Sequence, residues 1–293
     1  MHPIERLRWV ARSPEGDLSA AAAEAAEALA AFADDPAGLV IASRRLIERR
    51  PEAAPLWWLA SRMLCSLEPE FEAISAAAEL ERDRTPVALA GDLPGGTVAI
   101  VGWPDQAAAA LRLRARMGAA PHSGGRRGGG ARSAGAAADR VVVVASGPGA
   151  EASAPHWRRD EGWGCADWLQ SHGVDARLVR SGEAEVAARR CVLALLEATA
   201  VGPDSFVAAS GSAALAAAAR AGQRPVWLVA GVGRVLPGPL YEALVRRIAA
   251  HPAFEVVPLA GVDDVTGPAG PVPPARMARP ACPVAAELLR FPG

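Results

Sequence analysis

The chain has 293 residues, enough for one large domain or two ordinary ones, and 51% of them are hydrophobic, so a sizeable core can be buried. A formal net charge of −1 gives no overall attraction to nucleic acid or to an anionic membrane, and neither is an expected partner. Every one of the 31 Lys+Arg residues is arginine, which excludes Schiff-base catalysis and a P-loop lysine; a bound anion must be held by arginine, backbone N–H groups or helix N-termini.

Alanine, rather than a spanning segment, raises the mean hydropathy to +0.14. No run of about 18 strongly apolar residues occurs, so no membrane-spanning helix is expected. The first residues, Met1 to Arg6, contain no apolar stretch ahead of a cleavage site, so no signal peptide is expected and the expected location is cytoplasmic. Cys65, Cys165, Cys191 and Cys282 are scattered, without a CxxC pair or a histidine at ligand spacing. They read as free thiols of a reducing compartment, and neither a metal nor a cofactor is expected.

Residues 14–84 carry a helical pattern. Asp17 or Ser19 caps an alanine-rich helix through Phe32, Pro36 opens a second that ends near Arg50 and Pro51, a third covers 54–67 with Leu56, Leu59, Met63 and Leu64 at helical spacing, and a fourth covers 69–82. Trp57, Trp58 and Met63 read as core between these helices. Short connections predict antiparallel neighbours in a small bundle.

The character changes at residues 91–96. Thr97-Val98-Ala99-Ile100-Val101-Gly102 is a buried strand, followed by a helix over 105–117. Residues 118–139, with the core Gly124-Gly125-Arg126-Arg127-Gly128-Gly129-Gly130, form a Gly/Arg-rich insertion that cannot bury enough apolar surface to order itself. Alternation then resumes: strand 140–145, helix 160–172, strand 174–179, short helix 183–189, strand 191–196, helix 210–221, strand 225–230, helix 239–250, and a last edge strand 254–258. Asp263 and Asp264 read as a solvated loop, 267–283 as a proline-rich extended tail, and 284–289 as one docking turn of helix. The expected architecture is α/β: an N-terminal helical domain (1–90) and a Rossmann-like parallel-sheet domain (91–293) with helices on both faces.

Ligands of open α/β sheets bind beyond the carboxyl ends of the strands. Three turns there are rich in small residues. Ser146 and Gly147 follow one strand; Ser210, Gly211 and Ser212 open a helix, where free N–H groups and hydroxyls suit a phosphate; Gly231, Gly233 and Arg234 follow another strand, with Arg234 as a phosphate clamp. The GxG at 231–233 lacks the third glycine of a dinucleotide site. His172 sits at a helix C-terminus in a structural role, His156 lies in an irregular segment, and no Ser/His/Asp order or GxSxG elbow occurs. Trp157, Trp163 and Trp168 cluster around the Ser146 turn.

Several stretches together resemble one family: Glu161-Gly162-Trp163-Gly164-Cys165-Ala166-Asp167-Trp168-Leu169, Gly173-Val174-Asp175, Val201-Gly202-Pro203-Asp204, Gly211-Ser212-Ala213-Ala214-Leu215-Ala216 and Pro225-Val226-Trp227-Leu228-Val229. They are similar to the regulatory alpha, beta and delta subunits of translation initiation factor 2B and to their enzyme relatives, methylthioribose-1-phosphate isomerase and ribose-1,5-bisphosphate isomerase. The resemblance implies an N-terminal helical domain, a Rossmann-like domain, and a dimer.

The reactive positions depart from that family. Ala145-Ser146-Gly147-Pro148 stands for a Glu-Ser-Arg-Pro-like turn, Thr199 for the acid/base aspartate, and Ala208-Ala209 for an Asn-Lys pair. No cysteine lies near Val101-Gly102-Trp103 to match the catalytic one. Isomerisation needs a poised acid/base, which threonine does not supply at neutral pH. The expected function is therefore non-catalytic binding or sensing of a phosphorylated small molecule, a sugar phosphate or a nucleotide. The alternatives are an isomerase with a relocated site, using Glu197, Glu161 or His156, and a homodimeric scaffold.

Overall fold

Proline fixes where the N-terminal helices begin. The computed structural model describes residues 18–119, 140–146, 160–277 and 282–290. After α1 (Leu18–Ala30), the helices α2 (Pro36–Arg49), α3 (Ala54–Cys65) and α4 (Pro69–Glu81) each carry proline in the first turn, where its missing N–H has no partner to lose. Asp35 Oδ1 accepts the Gly38 N–H at 2.9 Å and caps α2. Trp57 is fully buried and Trp58 nearly so, as interhelical core. A further helix, α5 (Thr85–Asp92), is added to the expected four. Asp83 Oδ1 starts it by accepting from both the N–H and the hydroxyl of Thr85, at 2.9 and 2.6 Å.

The rest alternates. In chain order come β1 (Thr97–Val101), α6 (Asp105–Ala119), β2 (Arg140–Val144), α7 (Asp160–Ser171), β3 (Asp175–Val179), α8 (Ala184–Arg190), β4 (Leu193–Val201), β5 (Ser205–Ala209), α9 (Ser212–Ala221), β6 (Val226–Val229), α10 (Gly238–Ile248), β7 (Phe254–Pro258), β8 (Asp264–Gly267), β9 (Gly270–Val272) and α11 (Ala286–Leu289). The main sheet has the order β3-β2-β1-β4-β6-β8-β9, parallel except for the β8–β9 pair. Helices α5, α6 and α7 cover one face, α8 and α9 the other, as the alternation predicts.

Three strand expectations are corrected. The strand expected at 191–196 runs on to Val201: its first half pairs in parallel with β1 and β6, and its last residues pair antiparallel with β5. Strand β7 is indeed at an edge, but of a small antiparallel sheet β4-β5-β7. The main sheet instead continues into β8 and β9, inside the stretch expected to be loop and tail; Asp263 Oδ2 accepts the Val226 N–H at 2.8 Å there. The helical segment, β5, α10 and residues around Cys282 share one core, in which Trp57 and Leu240 are both fully buried. The Gly/Arg-rich insertion lies outside the described residues apart from its first two, which end α6.

Candidate functional site

After β3 at the sheet edge, the chain crosses back to β4 on the opposite side of β1. The carboxyl ends of β1 and β4 therefore flank a topological switch point, the place where such sheets open a crevice. A cavity of about 130 Å³ lies there, between the sheet and the helical segment. Its lining includes Arg50, Trp103, Glu197, Thr199, Ser212 and Arg234.

Glu197 lies on β4 in parallel register with Val229 of β6, just before an irregularity in the strand. The β4–β5 register shifts between Ala198 and Ala200, so Thr199 sits at a bulge, a device that re-aims side chains. Glu197 and Thr199, two apart on one strand, both line the cleft. One Glu197 oxygen accepts the Ala107 N–H of α6 at 2.9 Å, and the other accepts Arg234 Nη1 at 2.7 Å. Thr199 has only a long hydroxyl contact, 3.4 Å, to the Val207 carbonyl.

Arg234 is 1% exposed. Its loop is held on both sides: Ala230 N donates to Thr266 O, Val232 N to Asp83 Oδ2, and Val201 N to Arg234 O, at 2.9, 2.9 and 2.7 Å. Nη1 is doubly used, by Glu197 and by the Ala198 carbonyl, while Nε and Nη2 are buried with no partner. Arg50, 9% exposed, adds a second guanidinium, with Nε donating to Glu52 Oε1 at 2.7 Å.

The sequence-predicted site residues divide. Arg234 and Ser212 line the cleft. Ser210 is tied to the loop before β7, its Oγ donating to Pro252 O at 2.7 Å and its N–H to Ala253 O at 2.9 Å. The N–H groups of Gly211 and Ala213 donate to Glu255 Oε1 at 2.9 and 2.8 Å, so a carboxylate of the chain itself occupies the start of α9. Gly231 and Gly233 have packing reasons for being glycine. A Cβ on Gly231 would collide with Asp83 and Gln106; Gly233 has φ +76° and lies against Pro55 and Trp58. Ser146 ends a described segment beside Gly102, and Gly147 lies outside the described residues, as do His156 and Trp157. Arg50 and the Glu197–Arg234 pairing were not predicted, and no local motif marks them.

All four thiols are raised above their ordinary range. Burial, then the charges of Asp105 and Glu197, push the Cys165 thiol up to about 12; burial pushes Cys282 up to about 12 and raises Cys65 and Cys191 as well. His172 stacks on Trp168 with centroids 4.4 Å apart, and its Nδ1 lies 2.7 Å from the Trp168 carbonyl, a structural role. Among the described residues no group of three or more His, Cys, Asp or Glu side chains could hold a metal ion.

The sequence matches no protein-family model and no curated protein. Its fold is shared with solved structures. Translation initiation factor eIF-2B of Pyrococcus horikoshii OT3 superposes with a TM-score of 0.71 at 15% identity, over 94% of this chain and 98% of that one. A chain of the tetrameric eIF2B-beta2-delta2 complex from C. thermophilum gives 0.69 at 16% identity, over 94% and 91%. The 5-methylthioribose 1-phosphate isomerase of P. horikoshii OT3 gives 0.59 at 15% identity, over 93% and 84%. The chain thus has the fold of the factor 2B subunits and of this isomerase.

Proposed function

We propose that this chain is a divergent, non-catalytic relative of the factor 2B subunits that binds a small phosphate ester in the cleft between its helical segment and the sheet. One observation carries the reading: the buried Arg234 guanidinium in the cleft lining keeps two nitrogens, Nε and Nη2, without partners. Buried donors are almost always satisfied, and a fork of guanidinium donors suits phosphate oxygens. Arg50 supplies a second buried cation and Ser212 a hydroxyl. Both Glu197 oxygens are already engaged, Thr199 is no acid/base, and the thiols stay protonated at neutral pH. These features support binding without turnover.

Thermal shift with ribose 5-phosphate and with inorganic phosphate tests it. A ligand at about 100 times its dissociation constant stabilises the fold by about 2.7 kcal/mol. The expected result is stabilisation in the wild type, none in Arg234→Gln, and no product after prolonged incubation. Turnover of a sugar phosphate would overturn the non-catalytic part.

A second copy of the chain is the proposed partner. Leu67, Phe71 and Ile74, spaced along α4 and its approach, are 102%, 65% and 63% exposed, an apolar row that self-association would cover. Sedimentation is expected to show a dimer that Phe71→Glu weakens.

A further inference from the structure

A second hollow lies on the face of the sheet that α8 covers, and it shares no lining residue with the cleft. Helix α8 has only seven residues, and those it buries, Ala184, Ala187 and Ala188, are all alanine. Alanine fills little of the space over the sheet, and a groove of about 340 Å³ is left beside the helix. Val142 and Val179 give it an apolar floor, and Val186 of α8, 51% exposed, stands at its rim. The parallel register sets Arg177 of β3 beside Val142 of β2, and alternation along β2 puts Arg140 on the same face. Arg190, the last residue of α8, also lines the groove.

The chain itself does not balance this positive charge. Arg177 and Arg190 are exposed and take part in no ion pair among the described residues. Arg140 is paired, its Nε donating to Asp175 Oδ2 at 2.9 Å. Glu183, the carboxylate in the lining, accepts the Arg180 N–H at 3.0 Å. An inorganic anion would engage the guanidinium groups and leave the valines bare, whereas a purely apolar ligand would leave the charge unanswered. A ligand matched to both carries an aliphatic side chain between carboxylates, which guanidinium forks hold well. No aromatic residue stands in the described lining, so the groove offers a nucleobase no stacking platform. We propose that this groove is a docking surface for an acidic peptide segment of a partner protein, with an aliphatic side chain seated on Val142 and Val179 and flanking carboxylates on Arg177 and Arg190. The surface is separate from the cleft and from the ligand proposed there.

Fluorescence anisotropy of labelled heptapeptides titrated with the full chain tests it. The probe has a central leucine between glutamates; one control replaces the leucine by serine, another the glutamates by lysines. The wild type is expected to bind the probe, to bind the serine peptide at least about fivefold more weakly, and to leave the lysine peptide free. Arg177→Ala/Arg190→Ala is expected to weaken binding of the probe by at least about fivefold, the scale of two exposed ion pairs. Arg189→Ala, outside the lining and paired with Glu185, keeps the wild-type affinity. All three arginines are exposed, so unchanged thermal midpoints separate lost binding from lost folding. No binding by the wild type, equal affinity for the leucine and serine peptides, or an equal loss in Arg189→Ala overturns the proposal. Tighter binding of a labelled oligothymidylate than of the probe overturns it in favour of nucleic acid.

Discussion

Arg234 Nη1 donates to Glu197 Oε1 and to the Ala198 carbonyl, each at 2.7 Å, with the two charged side chains 1% and 5% exposed. Glu197 lies on β4 and Arg234 on the turn after the neighbouring parallel strand β6, so the pair ties that turn to β4. A buried ion pair is costly to break from one side, because the remaining charge stays in a poor solvent. Arg234→Met is therefore expected to destabilise the fold by about 3–5 kcal/mol, and Glu197→Gln by less, since the amide still accepts from the guanidinium. The double variant Arg234→Met/Glu197→Leu should recover much of the loss. Urea unfolding of the four proteins checks this; strict additivity would mean that the pair does not act as a unit.

Asp83 joins three parts of the molecule. Its carboxylate accepts from the N–H and hydroxyl of Thr85, from Gln106 Nε2 at 2.7 Å, and from Val232 N at 2.9 Å. Asp83→Ala would leave several part-buried donors without a partner, each worth about 1–3 kcal/mol. Gly231→Ala should cost a similar amount, because the new methyl meets the same Asp83 and Gln106 side chains. Both variants should lower the unfolding midpoint, and Asp83→Ala should also weaken ligand binding by freeing the loop that carries Arg234.

Helix starts and apolar strands were legible because their causes are local: prolines in the first turns of α2, α3 and α4, and continuous apolar runs in β1, β2 and the first half of β4. The strand reading stopped before Glu197 because a carboxylate in an apolar run looks like an end. What keeps Glu197 inside is Arg234, 37 positions later, and nothing nearby announces it. The glycines at 231 and 233 show the same blindness. Their spacing suits a phosphate loop, yet the space they leave is filled by Asp83, Gln106 and Pro55, far upstream in the chain. Arg50 was legible only as the end of a helix, since its burial in the cleft depends on how that helix docks on the sheet.

The buried thiols set an alkaline limit. Cys165 and Cys282 are raised from 9.0 to about 12, chiefly by desolvation. In the unfolded chain they ionise near 9.0, so above that pH the folded state holds more protons. Their contribution is fully present below pH 9 and is lost as pH rises from 9 toward 12, by at most about 1.4 kcal/mol per pH unit for each thiol. Burial raises Tyr241 as well, which acts in the same direction at higher pH. The unfolding free energy measured between pH 8 and 11 should fall steeply, and the Cys165→Ala/Cys282→Ala variant should show a shallower decline.

Glu255 decides whether the start of α9 can receive an outside anion. Its Oε1 takes the N–H groups of Gly211 and Ala213, a position a phosphate or sulfate oxygen could fill equally well. Glu255→Ala leaves these donors open and removes a charge favoured by the helix dipole, a loss of about 1.5–3 kcal/mol for hydrogen bonds to a charged group. If the carboxylate stands in for an anion, sulfate should restore stability to Glu255→Ala well beyond the general stabilisation that the same salt gives the wild type. Thermal unfolding of both proteins across a sulfate series, with sodium chloride at matched ionic strength, measures the difference. Parallel curves would confine the chain's anion binding to the Arg234 side of the cleft; a steeper rise in the variant would mean that Glu255 holds closed a second anion position at the start of α9.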